Sequence, residues 1–304
     1  MSLKFTTDAI QPYADLIRFS KPAGMILVFF PFAFSLTMVA YANALPFQDY
    51  ARLIVVSLLW AFMGRSMACT INDICDRDID SKVERTKHRP LASGRVSLRG
   101  ANIFLAVQAF LCLAIFRQSN KLAFQYSIAW FPLIFIYPLT KRITNWPQAW
   151  LGIAANWGGI LAWTMVSHTV DVKVILPLMV ALFAWSMFYD TVYACQDKDD
   201  DIKLGIGSSA IGLANFIFPF LCFSGIIFVI FMAIAGWFNN HGLIYFVVSV
   251  GGSALEIVWQ LVTVNPEDPA SCTIESLGRN SFLGYLIWGG LLADYMVRSR
   301  GTLV

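Results

Sequence analysis

Two acidic stretches carry the side chains with the clearest chemical potential. The first reads NDICDRDID from residue 72 to residue 80, and within it Asn72, Asp76 and Asp80 follow one another at intervals of four. At about 100° per residue these three side chains share one face of a helix. The first stretch therefore predicts a row of oxygen ligands along one side of a helix.

The second stretch reads DTVYACQDKDDD and covers residues 190–201. Asp190, Tyr193, Asp197 and Asp201 recur at intervals of three, four and four, which predicts a narrow stripe along a second helix. Aligned like charges destabilise an isolated helix by a few tenths of a kcal/mol unless cations neutralise them. The alternative interpretation is that the two acidic stretches are helix ends exposed to solvent. That interpretation explains one such stretch better than it explains two.

The ligand types in both stretches favour a hard cation. Mg²⁺ binds a few carboxylates together with waters and substrate phosphate oxygens. Basic residues that follow the first stretch or lie between the two suit the phosphates, because guanidinium groups bind phosphate in a bidentate manner. The candidates for contact with a diphosphate are Lys82, Arg85, Lys87, Arg89, Arg95, Lys141 and Arg142. Arg65 lies seven residues before Asn72, where burial of its charge in a bilayer requires an inward orientation and a partner.

The elements that hold these residues are predicted to be transmembrane helices. Of the 304 residues 58% are hydrophobic and 13% are charged, against about a quarter charged in soluble domains. An all-α membrane protein of about nine transmembrane helices is expected, with residues 1–304 as a single domain. Its cytosolic parts would be an N-terminal segment, 1–22, and two motif-bearing segments, 71–100 and 190–209. The nine apolar stretches are 23–45, 53–70, 101–116, 122–139, 149–166, 172–189, 210–238, 242–264 and 282–297.

The charges are distributed unequally between the two predicted faces. The side of the N-terminus carries 15 of the 22 Lys and Arg residues, and the opposite side carries 6. The positive-inside rule places the basic side in the cytosol. Both acidic stretches fall on that side, so the active site is expected to face the cytosol.

The acidic stretches resemble the signatures of the UbiA superfamily of intramembrane prenyltransferases, in the branch typified by 4-hydroxybenzoate polyprenyltransferases. The signatures are NDICDRDIDSKVERTKHRPLASGRVS from residue 72 and YDTVYACQDKDDDIKLGIGS from residue 189. Supporting stretches are RFSKPAG from Arg18, YPLTKRITNWPQAWLG from Tyr137 and NPED from Asn265. One departure is Gly207, because this branch commonly has a lysine in that run.

The resemblance implies nine helices around a central cavity, Mg²⁺ bound through a diphosphate, and an aromatic acceptor. Carried over by position, Asn72, Asp73, Asp76, Asp80, Asp197 and Asp201 become the metal ligands. Arg18, Arg65, Arg85, Lys141, Arg142 and Tyr193 become the substrate-binding residues. Asp76, Asp197, Asp190 and Arg65 are expected to be catalytic.

The acceptor and pathway are expectations based on analogy. The first residues lack the pattern of a signal or mitochondrial transit peptide, which favours the endoplasmic reticulum or another non-mitochondrial membrane if the source is eukaryotic. We expect transfer of a farnesyl group to a polyketide-derived phenol or pyrone in meroterpenoid biosynthesis. A 4-hydroxybenzoate polyprenyltransferase of ubiquinone biosynthesis is the alternative, and a cation-coupled transporter is the alternative of another class. Neither a nucleic acid nor an obligate protein partner is expected.

Overall fold

A computed structural model of the chain describes residues 10–301, so residues 1–9 of the predicted N-terminal segment and residues 302–304 lie outside it. Within this range every regular element is helical. The long helices are α2 (Ala23–Ala42), α3 (Phe47–Asp80), α4 (Leu98–Phe116), α5 (Lys121–Thr140), α8 (Val172–Ala194), α11 (Ile217–Phe238), α12 (Gly252–Thr263) and α14 (Arg279–Gly301). The shorter helices are α1 (10–16), α6 (Pro147–Asn156), α7 (Gly158–Val166), α9 (Lys198–Leu204), α10 (Ser209–Leu213) and α13 (Pro269–Thr273).

Eight helical segments in the described range are long and apolar enough to cross a membrane. Some combine neighbouring elements: α6 and α7 together form the 20-residue span Pro147–Val166, and a π-helical turn, Tyr245–Gly251, precedes α12. Helix α14, at the position of the ninth predicted span, has 23 residues and packs against α2, but it is more polar and is not among these eight. The all-α membrane fold predicted from the sequence is therefore confirmed.

The first acidic stretch is helical, as its spacing predicted, whereas the second stretch is interrupted. Helix α3 has 34 residues and continues through Asp80, whereas its apolar run ends near Thr70. The second stretch does not lie on one continuous helix. Helix α8 ends at Ala194, a 3₁₀ turn covers Cys195–Asp197, and α9 follows because Asp197, with φ −106° and ψ 7°, leaves the helical conformation.

Helices α2 and α8 form the inside of the bundle. Helix α2 packs against α3, α7 and α14, and α8 packs against α6 and α11. In α2 every residue from Phe29 to Tyr41 is buried, whereas α4, at the edge, buries four of its 19 residues. Outward apolar side chains of such edge helices suit contact with lipid.

Successive loops lie at opposite ends of the bundle. At one end, the amide of Gly207 donates to the carbonyl of Lys141 at 2.8 Å, which joins the loop after α9 to the loop after α5. At the other end, the Tyr41 hydroxyl donates to the Asn240 carbonyl at 2.8 Å. Both acidic stretches lie at the first of these ends, which we call the motif end.

Candidate active site

The carboxylates of the first stretch lie on the buried face of α3. The side chains of Asp73, Asp76 and Asp80 are 1%, 0% and 5% exposed. Asn72 is half-buried at the edge of this face, and Asp78 is 64% exposed. The face is thus centred on positions 73, 76 and 80 rather than on the 72, 76 and 80 row that regular spacing predicted.

Each buried carboxylate of α3 has a cationic partner from a different segment. Arg18 donates from Nη2 to Oδ1 of Asp73 at 2.5 Å, and Arg89 donates from Nη1 to both oxygens of Asp80 at 2.9 and 2.7 Å. The ammonium group of Lys141 contacts Oδ2 of Asp76. Such pairing compensates the cost of placing these charges inside the protein.

The segment before α2 is fixed over this face by Arg18. Its backbone has φ 59°, in the left-handed region, and its guanidinium also donates to the carbonyl of Asp15 at 2.9 Å. Asp15 in turn pairs with Arg95 at 2.7 Å. The hydrogen bond from Arg95 holds the pKa of Asp15 below its usual value. The N-terminal segment is thereby attached to the loop that follows the first acidic stretch.

Arg85 joins the two acidic stretches. Its Nε donates to Oδ1 and Oδ2 of Asp197 at 2.9 and 3.1 Å, and its Nη1 donates to the hydroxyl of Tyr193 at 3.0 Å. Burial of the guanidinium favours its neutral form, but the hydrogen bonds to Asp197 outweigh this effect and raise the pKa of Arg85. One side chain from the first half of the chain therefore holds the second stretch in place.

A polar layer lies deeper in the bundle, around Arg65. Its guanidinium lies against Gly24 of α2, and its charge interacts with Asp190 and with the surrounding tyrosines. Arg65 thus faces inward, as its position in the bilayer required. The tyrosines of this layer are Tyr137, Tyr189 and Tyr193.

Arg142, a predicted substrate-binding residue, and Asp201, a predicted metal ligand, do not form ion pairs with the buried face of α3 in the described chain. Arg142 donates to the carbonyl of Cys75 at 2.6 Å and to Asp78 at 3.0 Å, on the outer side of α3. The hydrogen bond to Asp78 raises the pKa of Arg142. Asp201 forms no direct ion pair in the described chain, but the charges of Asp197, Lys141 and Arg85 all act on it. Arg142 therefore pairs with the exposed Asp78 rather than with a buried carboxylate of α3.

Two residues of the site were not among the expected metal ligands or substrate-binding residues. Arg89 pairs with Asp80 and lies 3.6 Å from Asp73, and Tyr137 lies beside Arg65. Arg89 stands in the loop among several other basic residues, and spacing could not single it out. Tyr137 begins the supporting stretch YPLTKR, three residues before the helix end, which was the available signal.

The glycine at position 207 has a steric explanation. A Cβ at Gly207 would lie 2.0 Å from the carbonyl oxygen of Thr144. The loop after α9 packs backbone to backbone against the loop after α5, and only glycine permits that approach. The departure from lysine therefore accompanies a close contact between the loops that follow α5 and α9.

The donor set of the site fits a hard metal ion. Oδ2 of Asp73 and Oδ1 of Asp76 are buried without a hydrogen-bond partner, and a buried carboxylate oxygen of this kind requires an explanation such as an ion. Between residues 10 and 301 no three His, Cys, Asp or Glu side chains gather closely enough to hold a metal alone. Mg²⁺ needs no such cage, because it binds through one or two carboxylates together with phosphates.

Comparison with known proteins gives a consistent result. The UbiA prenyltransferase family matches residues 28–282. The chain is 43% identical over 295 residues to the UbiA prenyltransferase claS of Ampulloclitocybe clavipes, covering 97% of this chain and 94% of that protein. It is 38% identical over 283 residues to 4-hydroxybenzoate geranyltransferase 2 of Lithospermum erythrorhizon, covering 93% and 90%. Against the mitochondrial 4-hydroxybenzoate polyprenyltransferase of Schizosaccharomyces pombe the identity is 34% over 291 residues, covering 95% and 81%.

Solved structures share the fold at lower identity. The apo UbiA homolog from Aeropyrum pernix K1 superposes with a TM-score of 0.72 at 23% identity, over 88% of this chain and 97% of that one. The Archaeoglobus fulgidus homolog bound to GPP and Mg²⁺ gives a TM-score of 0.69 at 17% identity, over 94% and 99%. Together with the family match and the identity to named transferases, these findings show that the chain belongs to the UbiA prenyltransferase family and is a membrane prenyltransferase.

Proposed function

We propose that this enzyme transfers a farnesyl group from its diphosphate to an aromatic acceptor with the help of Mg²⁺. The observation that carries the proposal is the convergence of two acidic stretches, from distant parts of the chain, around shared cations at the motif end. Arg85 links the loop after α3 to Asp197, and Lys141 contacts Asp76 while its charge also acts on Asp201. A diphosphate bound with metal ions satisfies both groups of charges at once.

The carboxylates of α3 would hold one part of the metal site, and Asp197 and Asp201 would hold the other. Asn72 adds an amide oxygen beside Asp76. Mg²⁺, when bound, neutralises the negative charge that develops on the leaving diphosphate. The bound homolog of Archaeoglobus fulgidus, with GPP and Mg²⁺, supports this choice of metal and donor class. The proposed ligands are Asn72, Asp73, Asp76, Asp80, Asp197 and Asp201.

The basic residues of the site have a second role once the carboxylates bind metal. Arg18, Arg85 and Lys141 each neutralise a carboxylate in the structure. A carboxylate that binds Mg²⁺ no longer needs its ion pair, so these side chains can turn to the diphosphate oxygens. Stabilisation of the leaving group by such donors is usually the largest part of catalysis of this kind. Arg142 would contribute from the outer side of α3.

The bond between C1 of the donor and the bridging oxygen breaks, and its electron pair stays on the diphosphate. An electron-rich carbon of the acceptor ring attacks the allylic cation, and the ring then loses a proton. Asp190, beside Arg65 in the deeper polar layer, is the proposed acceptor of this proton. Tyrosine rings near it can stabilise the cation, and the apolar bundle excludes the water that would quench it.

An aromatic stack below this layer supports a short donor. Phe30, Phe34, Trp185 and Phe228 follow one another at centroid distances of 5.5, 6.1 and 5.7 Å, with planes within 22°. Trp185 lies five residues below Asp190, about 7.5 Å, and Phe34 lies ten residues beyond Gly24, about 15 Å. An isoprene unit extends about 5 Å from four C–C bonds. The distance of about 7.5–15 Å between the polar layer and the aromatic stack suits about two or three isoprene units. This length favours a farnesyl donor over a long polyprenyl donor.

We further propose a polyketide-derived phenol or pyrone as acceptor, in a non-mitochondrial membrane such as the endoplasmic reticulum, with the motif end facing the cytosol. Identity to claS, 43%, exceeds the 34% shared with the mitochondrial enzyme of Schizosaccharomyces pombe. The relatives named for 4-hydroxybenzoate make that compound the second candidate. The transporter alternative loses support, because the family is one of transferases and the carboxylates lie at one end of the bundle rather than halfway across it.

The test is a product assay with membranes that contain the full-length chain. Geranyl, farnesyl and longer polyprenyl diphosphates are each supplied with 4-hydroxybenzoate and with a panel of phenols and pyrones, and products are identified by mass. We expect farnesylated phenol or pyrone as the main product. Preferred use of long-chain donors on 4-hydroxybenzoate would refute the proposal in favour of the ubiquinone-type enzyme.

A further inference from the structure

A basic cavity lies beside the proposed active site. It has a volume of about 290 Å³ and lies where the end of α3, the loop after α5 and the loop after α9 meet. At about 30 Å³ per water, it has room for roughly ten water molecules, or for a small polyanion that keeps part of its hydration shell. Its lining residues are Asp78, Ile79, Lys82, Lys141, Arg142, Leu204, Gly205 and Ile206.

The charge of this cavity favours an anion. Its described lining residues include three basic residues, Lys82, Lys141 and Arg142, and one acidic residue, Asp78. Arg142 is held in place by Asp78 and by the carbonyl of Cys75. Lys82 is exposed, and its ammonium group has no partner in the described chain. The cavity thus offers one fixed guanidinium and one free ammonium group.

Lys141 connects the cavity with the active site. Lys141 is one of the residues that line the cavity, and its ammonium group contacts Asp76 on the buried face of α3. The Gly207 amide donates to the Lys141 carbonyl at 2.8 Å, which fixes the backbone from which this side chain extends. A small rotation of a flexible lysine can therefore move its charge between the site and the cavity.

We propose that this cavity binds inorganic diphosphate and receives it from the active site after prenyl transfer. The inference rests on the proposed function, in which the diphosphate is released when the bond to C1 of the donor breaks. The prenylated product can leave into lipid, but a polyanion must leave towards water at the motif end. The basic cavity neighbours the active site and shares Lys141 with it. The diphosphate can therefore leave through the cavity without contacting the apolar interior.

Direct binding of inorganic diphosphate to the purified full-length chain in detergent tests the proposal. Radiolabelled diphosphate and a chelator are used in equilibrium dialysis, so that metal-dependent binding between the acidic stretches is excluded. We expect Lys82→Gln to weaken binding about three- to tenfold, the effect of one lost charged contact. Asp78→Asn should tighten binding, because it removes the negative charge among the described lining residues while its amide oxygen can still accept the hydrogen bond from Arg142. Lys87→Gln is the matched control, since Lys87 is in the same loop but pairs with Glu84 and lies outside the cavity.

Equal affinities for the Lys82→Gln and Lys87→Gln variants would overturn the proposal, as would weaker binding by Asp78→Asn. A second measurement separates the cavity from the donor site. Binding of a non-hydrolysable farnesyl diphosphate analogue with Mg²⁺ should depend on Lys82 less than binding of inorganic diphosphate does. An equal loss for both ligands would mean that the cavity is part of the donor site. Because neither measurement requires turnover, failure of prenyl transfer with every acceptor would refute the proposed function alone.

Discussion

Asp76 is the most deeply buried carboxylate among the ion pairs of the proposed site, and its partner is Lys141. The Asp76 side chain is fully buried, and Lys141 is 23% exposed. Removal of one partner from a buried pair costs about 3–5 kcal/mol, whereas loss of both partners costs less, because no uncompensated charge remains. The stability of variants at these two positions therefore measures how strongly the metal-free site depends on this ion pair.

The Lys141→Gln variant should lose about 3 kcal/mol or more of stability in excess chelator. Addition of Asp76→Asn to it should restore much of that loss. Thermal unfolding of the purified chain measures both effects. Lys203→Gln is the control, because Lys203 pairs with Asp200 at the surface and is 72% exposed, where an ion pair contributes about 0–1 kcal/mol. A double variant less stable than Lys141→Gln would contradict the ion-pair interpretation.

Gly24 provides a second test at this scale, because the space above it is filled by Arg65. A Cβ at position 24 would lie 2.8 Å from Nη2 of Arg65, so Gly24→Ala should push the guanidinium aside while the helix itself tolerates alanine. We expect about a tenfold or greater loss of turnover with little change in unfolding temperature. Gly289→Ala, in α14, meets nothing within 4 Å and should keep normal turnover. Normal activity of Gly24→Ala would show that the position of Arg65 is not important for catalysis.

At the scale of elements, apolar runs predicted the transmembrane helices and spacing predicted that the first acidic stretch is helical, but neither predicted the break in the second stretch at Asp197. Helix α3 continues to Asp80 because its polar end is covered by Arg18, Arg89 and Lys141, and these contacts come from distant segments. Likewise, the turn at Asp197 follows from a tertiary contact with Arg85. Local periodicity contains no information about such partners, so the residue types of the site could be predicted while its pairings could not.

The aromatic stack is the element that we expect to control donor length. Phe34 lies between Phe30 and Trp185 and is fully buried. Phe34→Leu should open space below the polar layer and raise the use of a C20 donor relative to farnesyl diphosphate about tenfold, at a stability cost of about 1–3 kcal/mol. Competition between the two donors measures the ratio. Phe218→Ala, at a position 51% exposed on α11, should leave the ratio unchanged, and an unchanged ratio in Phe34→Leu would remove the stack from donor selection.

Across the whole molecule, Lys and Arg residues are distributed unevenly between the two ends of the bundle, and successive loops lie at opposite ends. Basic residues concentrate at the motif end, which predicts a cytosolic N-terminus and a C-terminus on the opposite side. Reporter fusions at the two termini should therefore respond oppositely in intact membranes. Equal responses would mean that one of the nine predicted spans, most critically the more polar α14, does not cross the bilayer.

The two acidic stretches should act as one unit, although Asp76 and Asp197 are 121 positions apart in the chain. In the proposed site both carboxylates hold metal ions on one diphosphate, and Asn replacement removes a charged ligand with almost no change in size. Each single replacement should lower turnover roughly a thousandfold, comparable to the loss of one strong electrostatic donor.

Groups that act together give non-additive losses, so the double variant should be little slower than the slower single variant. Turnover is measured in membranes with equal protein levels, first in excess chelator, which should abolish it, and then with Mg²⁺ restored. Asp200→Asn is the control, because Asp200 pairs with Lys203 at the surface. If Asp197→Asn keeps a near-normal rate while Asp76→Asn is inactive, the second stretch does not bind the donor. Its contact with Arg85 would then serve only to hold the loop after α3 in place.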